Sequence, residues 1–272
     1  MLKDLLRIFT VTLLTLFPYL LFATEEPPKT QARNKDWNVS VGAALLHSPA
    51  FLGSKDSALS LFPDLRVGYE DKFFASVPEG IGYKFQVLEN FKIGPLAKIR
   101  CSRSEENGGS PFQISGGTSA LRGMGEVDSA VESGLFGEYQ LQKLKFRTEV
   151  RRGFGGHQGS LMDLNLSYNN RLGPLSYGFG PKMTYATSSF INTYYGINSE
   201  QSRKAGLGQY RASSGIASYG FGYQLRMPVS SNVMLTNFAS YDYLGDALKK
   251  SPLIQERGKD SQGHSEKPTI HT

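Results

Sequence analysis

Two runs in the second half of the chain limit what it can fold into. Leu175, Tyr177, Phe179, Met183 and Tyr185 alternate with Ser176, Gly178, Gly180, Lys182 and Thr184. After a long polar stretch, Ala217, Tyr219, Phe221, Tyr223 and Leu225 alternate with Ser218, Gly220, Gly222, Gln224 and Arg226. A period of two gives each strand one apolar and one polar face. In a soluble sandwich a second sheet would have to cover the apolar face. Nearly every other segment repeats the same alternation, and little is left to form a separate core. Lipid as the apolar partner resolves this, so the expected fold class is all-β, a transmembrane antiparallel barrel.

The chain opens with the signature of export. Lys3 and Arg7 form a basic region, Ile8 to Phe22 an apolar one, and Ala23 is a small residue suited to cleavage; residues 1–23 read as a signal peptide cut after Ala23 or Thr24. No later apolar run is long enough for a helical span of about 20 residues. The mean hydropathy of −0.31 fits a barrel whose lumen is polar. A net charge of +6 spread along the chain gives no nucleic-acid stripe. Cys101 is the single cysteine, so no intrachain disulfide forms.

Residues 24–36 read as a flexible periplasmic tail, 37–243 as the barrel, and 244–272 as a polar C-terminal segment. The long connections are 47–57, 102–126, 189–211 and the stretch from Leu244. Bacterial barrels keep short turns on the periplasmic side and long loops outside, so these four share the outer face. That arrangement requires Phe73–Val87 to be a hairpin turning at Pro78-Glu79-Gly80. The count is then eleven strands, and closure needs a twelfth, giving a barrel of about 12 with 10 as the fallback. Tyr69, Phe73, Phe85, Phe91, Tyr139 and Phe146 lie beside the short turns, where an aromatic girdle belongs.

An ordered set of motifs resembles the MipA/OmpV family of MltA-interacting outer-membrane proteins. They are Phe51-Leu52-Gly53-Ser54, Pro63, Gly80-Ile81-Gly82-Tyr83, Leu121 to Gly125 and Gly155-Gly156-His157-Gln158-Gly159. The most specific block runs from Tyr194-Tyr195-Gly196-Ile197-Asn198-Ser199-Glu200-Gln201-Ser202 to Gly206-Leu207 and Tyr210, and Gly245-Asp246-Ala247 and Ser251-Pro252-Leu253-Ile254 follow. The resemblance covers about residues 37–262. It implies a non-enzymatic scaffold that links a lytic transglycosylase to a penicillin-binding protein; other members are described as surface antigens or adhesins. Two positions depart from the pattern. Ser102-Arg103 stands where the family has Gly-Arg. The family's closing strand, which ends in an aromatic residue, is replaced by a polar stretch holding Pro268, so the last strand is expected to be missing or altered and the barrel to assemble poorly.

Lumen-facing charges pair across the hairpin at Gln142-Lys143. Glu138 would oppose Arg147; a register shifted by two would set Glu138 against Lys145 and Glu132 against Arg151. A charge-lined channel or a lumen filled with ion pairs would both use these residues, and compensating signs favour the filled lumen. His47-Ser48 and His157 with Ser160 place a serine near a histidine but lack an orienting acid and an oxyanion hole, so no catalytic residue is expected. No metal-ligand spacing and no phosphate loop occurs, and no cofactor is expected. In the loop 188–211, Ser199 reads as a helix N-cap and Gly206 as its stop. Tyr194, Tyr195, Ser199, Arg203, Lys204 and Tyr210 are the candidate partner surface, with a lid over the lumen as the competing reading.

Overall fold

The computed structural model describes residues 37–109 and 111–271. The expected signal peptide, 1–23, and tail, 24–36, lie outside these residues. The described strands are β1 (Trp37–Pro49), β2 (Ser57–Tyr69), β3 (Phe73–Ser76), β4 (Gly80–Tyr83), β5 (Phe85–Leu88), β6 (Phe91–Arg100), β7 (Gln113–Gly116) and β8 (Ala130–Leu141). They continue with β9 (Leu144–Gly155), β10 (Ser160–Leu172), β11 (Leu175–Ala186), β12 (Gly215–Ser230), β13 (Val233–Leu244) and β14 (Ser261–His271). Short helices α1 (Ser188–Tyr195), α2 (Ser199–Ala205), α3 (Asp246–Lys249) and α4 (Pro252–Arg257) lie in the loops.

Neighbouring strands pair antiparallel, and β1 pairs with both β2 and β14, so the sheet closes into a 12-strand barrel. β4 and β5 are two pieces of one wall strand, both laid on β6 with a break at Lys84. β7 is an extra piece on the edge of β2. The β3–β4 hairpin turns between Ser76 and Gly80, as the even count requires.

One expectation is overturned: the closing strand is present. Ser261–His271 pairs with β13 on one side and β1 on the other. Pro268 does not break it, because both ladders shift register there, between Lys267 and Ile270 against β1 and between Ser265 and Thr269 against β13. A bulge leaves a residue unpaired, so the missing N–H removes no ladder bond. The weak outward face of β14 borrows cover from its neighbour. Tyr241 lies beside Gly263 and its hydroxyl bonds Ser261 Oγ at 2.9 Å. The apolar surface is supplied by the pair of strands, which is why composition alone missed the strand. Two further wall prolines also sit at irregularities of the ladder. Pro95 faces the β4–β5 break, and Pro228 sits at a register shift.

Side chains alternate as the period predicts. Val39, Val41, Leu61, Leu65, Leu135, Phe146, Val150, Phe179 and Phe221 stand exposed on the outside. Trp37 packs on Tyr69 at 4.9 Å and on Phe73 at 6.1 Å between ring centroids, at the short-turn end. Ala217 departs from the expected outward row. The β11–β12 register shifts between Thr184 and Tyr185, and Ala217 turns inward to be buried.

Candidate functional site

With its apolar face turned outward, the wall cannot supply an ordinary core, and the main buried apolar cluster lies in the loops. Phe51, Leu121, Met124, Phe190, Ile191, Tyr194, Tyr195, Ile197, Leu207, Leu248, Leu253 and Ile254 pack with the long-loop ends of β10–β13 at Leu161, Ala186, Ala217 and Leu244. These residues form a cap over the long-loop end.

Side chains satisfy loop carbonyls across the cap, as buried backbone requires. Arg103 Nη1 donates to Tyr194 O at 2.5 Å, Ser251 Oγ to Tyr195 O at 2.7 Å, and Tyr195 OH to Leu52 O at 2.9 Å. Gln201 Nε2 donates to Met124 O at 2.6 Å, and Tyr210 OH to Ala247 O at 2.7 Å. The Arg257 guanidinium donates to Ala120 O and to Ala205 O, tying three loops. Burial pushes the Tyr195 phenol up, against the pull of Arg103. Burial likewise draws the Arg103 guanidinium down, and it makes no ion pair among the described residues.

The cap of helix α2 lies one residue before the expected Ser199, which is the first helical residue. Asn198 is the N-cap: its side chain accepts from Glu200 N and Gln201 N, and Gln201 returns a bond to Asn198 N. This reciprocal box needs Gln or Glu three residues after the cap; Gln201 stands in that place for Asn198, whereas Ser199 would have Ser202. Gly206 ends the helix at φ +70°.

The lumen beneath the cap holds a continuous ionic network. Glu132 on β8 accepts from Arg100 on β6 at 2.5 Å and from Arg151 on β9. Arg151 also pairs with Asp163, which accepts from Thr184 Oγ1 at 2.6 Å. Lower down, Glu149 holds Lys98 at 2.7 Å and Arg147 at 2.9 Å. Glu138 holds Lys145 at 2.8 Å and Arg147 at 3.1 Å. The β8–β9 register sets Glu138 opposite Arg147 and Glu132 opposite Gly153. Beside the network, at the level of Glu149, Phe74, Leu96 and Phe136 close on one another, with the Arg147 guanidinium 4.5 Å from the Phe136 ring centre.

His157 joins the two regions. Its Nε2 lies 3.1 Å from Glu132 Oε1, and its ring packs edge-on against Phe190 at 5.0 Å and Tyr194 at 5.9 Å. Gly153 makes room, since a Cβ there would fall 2.1 Å from the imidazole. Burial holds the imidazole below the ordinary histidine range, while the Glu132 carboxylate pulls it back and Arg100 and Arg151 reinforce the lowering.

The six candidate partner residues do not form one surface. Tyr194 and Tyr195 are buried in the cap, and Tyr210 is half-buried with its hydroxyl committed. Ser199, Arg203 and Lys204 are exposed on α2, where Lys204 pairs with Glu200 at 2.8 Å. The five lumen charges Glu132, Glu138, Lys145, Arg147 and Arg151 do share one network. Lys98, Arg100, Glu149, Asp163 and His157 belong to it as well and escaped the reading of the sequence. His157 bonds Glu132, with Ser160 engaged elsewhere through its backbone to Thr187.

A closed antiparallel ring, apolar outside and ion-paired within, defines a transmembrane β-barrel of the outer-membrane class. A family model described as MltA-interacting protein MipA matches residues 41–264, and the chain belongs to that family. YiaT of Escherichia coli (strain K12), named as an outer membrane protein, is 28% identical over 96 residues, which is 35% of this chain and 39% of YiaT. The chain thus aligns with well under half the length of that relative. Among solved structures, an outer membrane channel from Pseudomonas putida F1 superposes with a TM-score of 0.45 at 11% identity, covering 91% of this chain and 98% of the channel. The KdgM porin gives 0.37 at 11% identity, covering 87% and 98%.

Proposed function

We propose that this protein is a non-enzymatic scaffold: a plugged outer-membrane barrel whose short-turn end is a fixed platform for a murein-cleaving lytic transglycosylase, with a murein-synthesising penicillin-binding protein as a second partner. Closure is the observation that carries this reading. The long-loop end is sealed by a core in which Leu121, Ile191, Leu244, Leu248 and Leu253 have no exposed surface, and the lumen below is filled by paired charges. A conducting pore keeps an unobstructed polar path, and a filled lumen serves to hold a wall rigid. The family description, MltA-interacting protein, supplies the class of the first partner. Aromatics at the short-turn end anchor the platform in the interface, with the exposed Lys143 on the β8–β9 turn and the exposed Arg171 at the end of β10 beside the next turn.

Affinity capture from crosslinked envelopes tests this. Enrichment of a lytic transglycosylase, reduced by K143E/R171E, is the expected result; capture of no murein enzyme removes the reading. A second reading, a passive small-solute pore, draws on one feature. A cavity of about 210 Å³ lies on the β11–β14 side, lined by Lys182, Thr184, Ser218, Asp242 and His264. Stable open steps in a planar bilayer would favour it.

A further inference from the structure

Arg151 and Arg152 are neighbours in sequence with opposite surroundings. On β9 the faces alternate: Arg151 and Gly153 are buried inside, while Val150, Arg152 and Phe154 are exposed outside. Arg151 is met in the lumen by Glu132 and Asp163. Arg152 makes no ion pair among the described residues and stands on the face that the barrel turns to lipid. The outward rows of β6, β8, β9 and β10 hold no other charged side chain.

Strand register places Arg152 within the apolar band. One row higher, Ile99, Val131 and Phe154 lie side by side across β6, β8 and β9, all exposed. One row lower, Leu135, Val150 and Met162 do the same across β8, β9 and β10. The distance from Phe146 of the short-turn girdle to Arg152 is roughly 15 Å along the barrel axis after strand tilt, which lies in the upper half of an apolar band about 25 Å tall. From that height the flexible arginine stem carries its guanidinium up to the headgroups of the outer leaflet.

A guanidinium does not lose its proton, so one that faces hydrocarbon needs a counter-anion. The acids of the surrounding strands, Glu132, Glu138, Glu149 and Asp163, all face the lumen and are committed there. The anion must therefore come from the membrane, and at headgroup height that is a lipid phosphate. The flanks suit one. Ser133 on β8 and Ser160 on β10 are the direct ladder partners of Arg152, turned outward with it. Such partners stand about 5 Å away on either side, and neither hydroxyl is bonded to another described residue. The guanidinium fork takes two phosphate oxygens, and a hydroxyl on each side can meet the others. Below, the exposed Leu135, Val150 and Met162 give the acyl chains of the same lipid an apolar surface.

We infer that Arg152, with Ser133 and Ser160, is a binding site for the phosphate headgroup of an outer-leaflet lipid. The site stands independently of the scaffold role. The test is native mass spectrometry of the full chain in dodecyl maltoside micelles, with phosphatidic acid, diacylglycerol of the same chain length or inorganic phosphate added. The expected result is one retained phosphatidic acid per barrel, with diacylglycerol and inorganic phosphate leaving no adduct. R152Q should lower that adduct roughly tenfold, as loss of a charge-assisted bond does, and S133A/S160A, which keeps the charge, by about threefold. R211Q, the same charge change on an exposed loop residue, should leave it unchanged. The heat-modifiable gel shift shows that each variant is folded. Equal phosphatidic acid binding by R152Q overturns the inference, as does equal binding by S133A/S160A should R152Q not fold. An adduct that diacylglycerol or inorganic phosphate forms as readily also overturns it, and so does a dimer mass that R152Q abolishes, which would give Arg152 a second copy of the chain as its partner.

Discussion

The wall and the cap are stabilised in opposite ways. The wall turns its apolar side chains to lipid and packs its interior with ion pairs, so its ladder sets the geometry and charges fill the space. The cap faces water and builds the larger buried core of the described residues, with Ile191, Leu248 and Leu253 fully buried and loop carbonyls met by Arg103, Arg257 and Tyr195. Where the solvent outside is hydrocarbon, apolar burial cannot hold the inside together; where it is water, it can. The two regions meet at His157, wedged between Glu132 below and Phe190 above.

Removing charge from the lumen should have the largest effect. Glu132→Ala leaves Arg100 and Arg151 without their shared carboxylate, and breaking a buried pair from one side costs about 3–5 kcal/mol. Urea unfolding followed by the heat-modifiable gel shift would read this in the wall. In the cap, Ile191→Ala should cost roughly 2–5 kcal/mol through the cavity it opens, seen as protease nicking of the long loops with the gel shift of the wall intact. At the junction, Gly153→Ala pushes on the His157 ring, an overpacking of about 1–3 kcal/mol. The same junction gives a pH signature. Because burial lowers the folded-state value of His157 below the unfolded one of about 6.5, its contribution is whole above that pH and is lost as the pH falls below it. Loop nicking should rise in that window, and less in His157→Gln; Glu132, Arg100 and Arg151 all face the ring. Lys204→Ala, on the exposed face of α2, should change neither readout.

Much of the wall was legible in the sequence, because a period of two is local. The Glu138–Arg147 pairing was legible too, since the tight turn at Gln142-Lys143 fixes its register. Lys98 and Arg100 were not, because the register of β6 against β8 is set across the long loop 101–129, and no turn residue encodes it. The closing strand was missed because Pro268 and a polar composition were weighed without the bulge and without the cover from Tyr241. Tyr194 and Tyr195 read equally as a partner surface or as part of a lid over the lumen; the meeting of five loops places them in the buried cap, on the side of the lid. His157 carried a signal in hindsight, a lone histidine among glycines, and Gly153 is small for its ring.

Planar-bilayer recording tests the central claim most directly, that cap and lumen together close the barrel. The account predicts no stable open steps from the unsubstituted protein, and steps that appear when Ile191→Ala loosens the cap and Glu132→Ala breaks the network beneath it. Stable open steps from the unsubstituted protein, of the same size as those of the double variant, would contradict it.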